Sequence, residues 1–304
     1  MNKRVRRAEI KKAVQDKNLK IALDRSTAAY AAAREQAMSG VDFEELSKRI
    51  REIKERCISR LPELIKRFKI EAERVGVVVY EARDAADANE YIAKLARERD
   101  VKLAVKSKSM LTEEIGLNAH LESEGVKVVE TDLGEWIIQL AGERPSHFTQ
   151  PAVHKTREQV AELFSKVVGE KIEPDIPKLV EVARKQLRQA FFDADLGISG
   201  ANILIAETGT IVIVTNEGNS RLVTTLPPVH VAVVGYEKLV ETADDANEII
   251  KMLPKNGAGQ KMTAYVSYIT GPSRTSDIEK TLALGVHGPK EVHVVLVDNG
   301  RMKM

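Results

Sequence analysis

The apolar positions change period twice along the chain. From Asp42 the stripe Leu46, Ile50, Ile53, Cys57, Leu61, Leu64 and Phe68 recurs in steps of three and four, the spacing of one helix face. Asp42 with Glu45 three residues on forms a capping box, Val41 and Leu46 fit a hydrophobic staple, and Pro62 kinks or restarts the helix. After Gly76 the pattern becomes strand, helix, strand. Val77–Tyr80 is followed by a helical stripe through Ala88, Ile92, Leu95 and Ala96, and then by Val101–Val105, which together read as a βαβ unit. Val126–Glu130 reads as a further strand. Trp136, Ile137, Ile138 and Leu140 form a buried helix or strand, and Thr156 with Gln159 opens another helix. A long amphipathic helix follows Pro174 and Pro177, with Leu179, Val182, Ala183, Leu187 and Phe191 on its apolar face.

The most densely patterned stretch is Asp195–Arg221. Ile203–Ala206 and Ile211–Val214 are two apolar runs of the length and composition of buried strands, and Glu207-Thr208-Gly209 between them suits a hairpin turn. Loops 197–202 and 216–221 flank the pair. Their glycines let backbone N–H groups approach a ligand, although an ordinary meander with turn residues has the same pattern. Val229–Val234, 264–270 and Val292–Val297 complete the strands, with a helix from Asp244 to Leu253. Strands alternating with helices define an α/β fold built on a parallel or mixed sheet. The basic, charge-dense segment to about residue 70 is expected to be a helical extension, and 71–304 the α/β domain.

In such sheets the ligand crevice lies at the carboxyl ends of the strands, which turns attention to the loops there. Lys106, Ser107, Lys108 and Ser109 directly follow one strand, and two ammoniums with two hydroxyls suit a carboxylate or phosphate. Gly271, Ser273, Arg274 and Thr275 follow another, read as a strand running into a helix. An arginine fork there grips an oxyanion through two parallel hydrogen bonds, so Arg274 is expected to outweigh either lysine. Gly209, Thr210, Asn216, Gly218, Asn219 and Arg221 are the candidates from the central stretch, with Glu207 and Glu217 as acid/base carboxylates. His230 enters its strand after two prolines and either points into the crevice or is a core histidine. The four loops, at 106–109, 207–209, 216–221 and 271–275, are expected to converge on one pocket.

Bulk properties narrow the class. The 47 basic and 45 acidic residues give a net charge of +2, which does not demand a nucleic-acid partner. Basic residues concentrate in an arm from Lys3 to Lys20, which reads as a solvated helix or a contact for an anionic partner. One cysteine excludes an intrachain disulfide and a cysteine-only metal or iron–sulfur site, and Cys57 on the apolar stripe reads as a small buried hydrophobe. His147 and His154, seven apart, do not have a usual zinc-ligand spacing, so no metal is assigned. No apolar run reaches the length of a membrane span, and the default compartment is the cytoplasm.

Lys106-Ser-Lys-Ser-Met110, Glu207-Thr-Gly-Thr-Ile211, Asn216-Glu-Gly-Asn-Ser-Arg221, Leu226-Pro-Pro-Val-His230 and Gly271-Pro-Ser-Arg-Thr-Ser-Asp-Ile-Glu279, in this order, resemble the LUD (lactate utilization) domain family, in particular the N-terminal part of its iron–sulfur B-type members. The resemblance runs from about residue 20 to the end. It implies a three-layer α/β fold of the ribose-5-phosphate isomerase, glucosamine-6-phosphate deaminase and CoA-transferase type. It also implies a part in oxidising L-lactate to pyruvate, as a component of an oxidoreductase complex with sister subunits. The cysteine-rich ferredoxin-like motifs of those members are not in this sequence, so no cofactor is assigned to this chain and iron–sulfur clusters are expected in longer members or partner subunits. The expected ligand is a small carboxylate or phosphate, and a homo-oligomer is left open. The shared fold also suggests a CoA-transferase-like enzyme, with Glu217 as nucleophile, or a sugar-phosphate isomerase. An assembly module that docks partners through its N-terminal helices is the non-enzymatic alternative.

Overall fold

A computed structural model describes residues 7, 10–11, 13–147 and 150–303. Of the basic arm, Lys3, Arg4, Arg6 and Lys12 lie outside the described residues, and Arg7, Lys11, Lys17 and Lys20 are exposed.

Residues 13–15 are helical, and α1 (Lys17–Met38), α2 (Phe43–Ser59) and α3 (Leu61–Arg74) follow. Asp42 caps α2 by accepting the Glu45 amide, and Pro62 sits in the first turn of α3, so the stripe is divided between two helices. Both drive it into the core: Leu46, Ile53, Cys57, Leu61, Leu64 and Phe68 are buried, with Phe68 fully so. Burial pushes the Cys57 thiol up, in keeping with a packed hydrophobe.

The core is a six-stranded parallel sheet. Its strands are β1 (Val77–Ala82), β2 (Leu103–Lys106), β3 (Lys127–Glu130), β4 (Leu196–Ser199), β7 (Val229–Gly235) and β12 (Glu291–Val297), in the spatial order β1-β12-β7-β4-β2-β3. One row across it reads Val77, Val292, His230, Gly197, Val105, Val129. The sheet sets two corrections to the reading of the chain. Residues 197–199, part of the loop 197–202 read above, belong with Leu196 to a fully buried central strand, because a four-residue strand covered on both faces shows no alternation. And β1 and β2, read as one βαβ unit, are not neighbours: β1 pairs only with β12, the last strand, while β2 pairs with β3 and β4.

One face of the sheet carries α4 (Ala85–Glu98), α5 (Met110–Glu114) and α6 (Leu117–Ser123), over a core of Ile92, Leu117, Leu121, Ile198, Val231 and Val295. The other face is covered in two parts. Over β2 and β4 pack α7 (Leu133–Ala141), α8 (Arg157–Val168), α9 (Ile176–Asp193) and α10 (Asn219–Thr225), through Val105, Phe164, Phe191 and Val223 among others. Over β1, β12 and β7 lie α2, α3 and a second, mixed sheet. That sheet is ordered β8-β5-β6-β9, from β5 (Ile203–Ile205), β6 (Thr210–Thr215), β8 (Leu239–Val240) and β9 (Tyr265–Ile269), with α11 (Ala243–Ala258) against it. The hairpin of β5 and β6 forms as read, turning at Gly209 with φ +64°. A Cβ at Gly209 would stand 2.3 Å from the Ala72 amide nitrogen, so α3 crosses directly over the turn.

No described helix is long and apolar enough to cross a membrane.

Candidate functional site

The chain leaves β2 toward β3 and leaves β4 in the opposite direction, toward β7. Adjacent parallel strands whose connections diverge open a crevice at their carboxyl ends. A cavity of about 450 Å³ lies there. It is lined by Ser107, Lys108 and Ser109 after β2, Asp132 after β3, Gly200, Ala201 and Asn202 after β4, and Thr215 and Ser220 about the end of β6. Glu114, Glu237, Lys238 and Arg301 close it on the remaining side. A second cavity of about 310 Å³ adjoins the first, lined by Lys108, Asp132, Glu135, residues 150–153 and Glu217.

Three loops of this edge are tied together by side chains. The Asn219 amide donates to the Thr131 hydroxyl (3.1 Å), which in turn donates to the Lys106 carbonyl (2.9 Å). Asp132 accepts the Lys108 amide at 2.7 Å. Ser109 caps α5 by accepting the Thr112 amide, so its hydroxyl at the cavity wall is also a structural acceptor.

Charge is distributed unevenly over the lining. Arg301 is held by two carboxylates, at 2.8 Å from Glu114 and 2.8 Å from Glu237. Lys108 is a quarter exposed, with its ammonium 2.9 Å from Oε1 of the buried Glu135. Burial outweighs this lysine and pushes the Glu135 carboxyl up to about 7. Burial also raises the Asp132 carboxyl, and burial with Asp132 nearby raises that of Glu217.

Of the residues expected to form the site, the structure brings Ser107, Lys108, Ser109, Glu217 and Asn219 together at this edge. Gly218 stands between the last two as the cap of α10. Asn216 and Arg221 turn toward β9. Asn216 accepts the Ala264 amide (3.1 Å), and the Arg221 guanidinium lies 4.8 Å from the centre of the Tyr265 ring.

The others are elsewhere. Lys106 points into the core, 1% exposed, where its ammonium meets Glu130 at 2.9 Å and the Thr112 hydroxyl at 3.1 Å. The cause is the pleat: alternate residues of β2 face opposite sides of the sheet, so Lys106 falls on the face covered by α5 and α6. Glu207 is bonded to the first amide of α11, that of Ala243, at 2.8 Å. Thr210 joins a hydroxyl chain with Thr208 of the β5–β6 turn and Thr270 just past β9. His230 is fully buried in β7, with Nε2 2.8 Å from the Ser199 hydroxyl. It is the core histidine of the two readings, and burial pushes its imidazole down to about 4.

Gly271, Ser273, Arg274 and Thr275 lie at the opposite edge from Lys108. The Ser273 amide donates to Pro289, just before β12 begins, and Arg274–Thr275 (β10) pairs with Ala283–Leu284 (β11) as a short hairpin where a helix was expected. The carboxyl-end rule fails here because β9 belongs to the second sheet and runs antiparallel to β6, which carries its end to the amino edge of the parallel sheet. The four loops therefore do not share one pocket. Asp132, which lines both cavities, lies just past the strand 126–130, so the same rule applied to that strand points to it.

Fold and site together define an α/β domain with a crevice of mixed polar and apolar lining at the switch point of a parallel sheet. A family model described as the LUD domain matches residues 65–297. The chain belongs to the LUD domain family, and the expected α/β class with a parallel central sheet is the one observed. Among its relatives, "Lactate utilization protein B" of Oceanobacillus iheyensis is 42% identical over 253 residues, 83% of this chain and 51% of that protein. "Lactate utilization protein B" of Geobacillus kaustophilus is 41% identical over 260 residues, 85% and 53%. An "uncharacterized electron transport protein YkgF" of Escherichia coli K12 is 35% identical over 300 residues, 98% and 61%. The chain thus spans about half the length of the lactate utilization B proteins it matches. A crystal structure of a DUF162 family protein from Deinococcus radiodurans superposes with a TM-score of 0.42 at 16% identity, covering 78% of this chain and 98% of that one.

Proposed function

We propose that this domain serves lactate utilization by holding a small carboxylate, L-lactate or pyruvate, in the carboxyl-edge cavity while partner iron–sulfur subunits take the electrons. The observation that carries this reading is the position of Lys108: a partly exposed ammonium at the switch-point cavity, flanked by Ser107 and Ser109. An ammonium and nearby hydroxyls are what a 2-hydroxy or 2-oxo carboxylate needs for recognition. A cavity of about 450 Å³ is ample for so small a ligand. The relatives named for lactate utilization support the choice of ligand. Glu217 is the candidate acid/base: it lines the adjoining cavity beside Lys108, and burial with Asp132 nearby raises its carboxyl.

Calorimetric titration with L-lactate, pyruvate, phosphate and a CoA ester tests the reading. Binding of L-lactate or pyruvate, weakened about tenfold or more in Lys108→Ala, is the expected result. Binding of the CoA ester alone would favour a transferase. No binding of any of the four would remove the ligand reading and favour an assembly module.

A further inference from the structure

Lys108 lines both cavities, and among the described residues lining the smaller one it is the only cation. It is also surrounded by carboxylates. Glu135, at the start of α7, is in direct contact at 2.9 Å. Asp132, the residue before α7, binds the Lys108 backbone amide. Glu113 of α5 and Glu217 of the loop before α10 act on the same cluster. Residues 150–153, the remaining wall of the smaller cavity, are Gln, Pro, Ala and Val, and bring no charge. Glu130, behind Asp132, has its own partner in Lys106.

One ammonium therefore faces several carboxylates before any ligand arrives. A ligand carboxylate in the larger cavity has to compete for it. If it wins, the carboxylate left behind loses its counter-charge, and the response of that group depends on its burial. Glu113 and Glu217 are raised by the partial burial of their carboxyls, yet both side chains reach solvent, where water can support the ionised form. Asp132 keeps its bond to the Lys108 main chain wherever the ammonium goes. Glu135 is only 5% exposed and has no such alternative. A buried carboxylate stripped of its cation relieves the cost by taking a proton.

We propose that a small carboxylate binding in the larger cavity draws the Lys108 ammonium away from Glu135, and that Glu135 takes up one proton from solvent as it does so. This rests on the carboxylate-binding reading above and adds to it a pH-dependent step at a residue outside the ligand's own contacts. The mechanism fixes the direction of the dependence. Burial already holds the Glu135 carboxyl at about 7 with the lysine in place. Above that pH the free protein has the ion pair and the ligand must displace it. Below it Glu135 is neutral and the ligand no longer has to displace it from Lys108. Affinity should thus be about tenfold higher near pH 6 than near pH 8.

The test is calorimetric titration of the protein with L-lactate and with pyruvate near pH 8, in two buffers of different ionisation enthalpy. Both ligands are ionised throughout this range, so any proton taken up goes to the protein. The expected result is a buffer-dependent heat equivalent to nearly one proton per ligand, vanishing near pH 6. Glu135→Gln should abolish it and bind near pH 8 as tightly as wild type binds near pH 6. Binding without buffer dependence in wild type overturns the proposal and leaves the ligand reading intact. Proton uptake that persists in a folded Glu135→Gln, checked by the fluorescence of the adjacent Trp136, overturns the assignment to Glu135. The wild-type measurements need no variant, and failure of both ligands to bind overturns the carboxylate-binding reading itself.

Discussion

Oε1 of Glu207 accepts the amide of Ala243 at 2.8 Å, tying the β5–β6 turn to the first residue of α11. A carboxylate at a helix N-terminus satisfies one of the amides that lack a partner within the helix and meets the positive end of its dipole. The residue that reads in sequence as a candidate acid/base is thus placed as a structural anchor, away from the cavity lining. Glu207→Ala should lower stability by about 1 kcal/mol in urea denaturation, while calorimetric affinity for L-lactate stays at the wild-type value. A large loss of affinity in a folded variant would return Glu207 to the site.

Arg274 and Lys108 stand at opposite edges of the parallel sheet. Arg274 is exposed in a two-strand hairpin at the amino edge, and Lys108 lines the cavity at the carboxyl edge. Arg274→Ala should therefore leave binding of L-lactate and pyruvate unaltered, whereas Lys108→Ala weakens it about tenfold or more. Side-by-side titrations of the two variants measure this, and an equal loss in both would contradict the placement.

Lys106 and Glu130 form an ion pair 2.9 Å long in the core, extended by Thr112 and Asn118. Such a pair contributes little compared with apolar residues of the same shape, but breaking it strands a charge. Lys106→Met alone should cost about 3–5 kcal/mol. Lys106→Met combined with Glu130→Leu should recover most of that. A double-mutant cycle by chemical denaturation checks it, and simple additivity of the two losses would mean that the charges are not coupled.

His230 couples stability to acid. Its imidazole is neutral in the fold, pushed down to about 4 by burial with His293 nearby, against about 6.5 in an unfolded chain. The unfolded state therefore binds the extra proton between those values. The contribution of neutral His230 is fully present above about pH 6.5 and is lost progressively as pH falls toward 4, by roughly 3 kcal/mol in all. Urea midpoints measured from about pH 7 down to about pH 4 should fall less steeply in His230→Gln than in wild type, because the variant lacks the group that titrates there. Parallel slopes would assign the acid sensitivity to other groups.

Much of this protein is legible in the order of its residues, because it rests on local periodicity. The stripe from Leu46 to Phe68 specifies which helix face is buried, and the caps at Asp42 and Thr156 mark where helices begin. The apolar runs at 203–206 and 211–214 with glycine at 209 specify a hairpin. The loop at Ser107–Ser109 carries the signal of a ligand-facing strand end, and the cavity is there.

What the chain order does not contain is strand adjacency and which edge each strand end faces. The last strand, β12, inserts between β1 and β7, and β9 leaves the parallel sheet for the smaller one, so identical-looking strand ends at Lys106 and Thr270 finish on opposite edges. Position relative to the end of β2 decides the rest: Lys106 is the last residue of the strand and Lys108 lies in the loop beyond it. Lys106 and Lys108 are two residues apart in one polar motif, yet one is sealed beneath α5 and α6 with Glu130 while the other lines the cavity. That difference depends on long-range packing, with Glu130 24 positions and Glu135 27 positions beyond their lysines, and no local pattern of residue types encodes it.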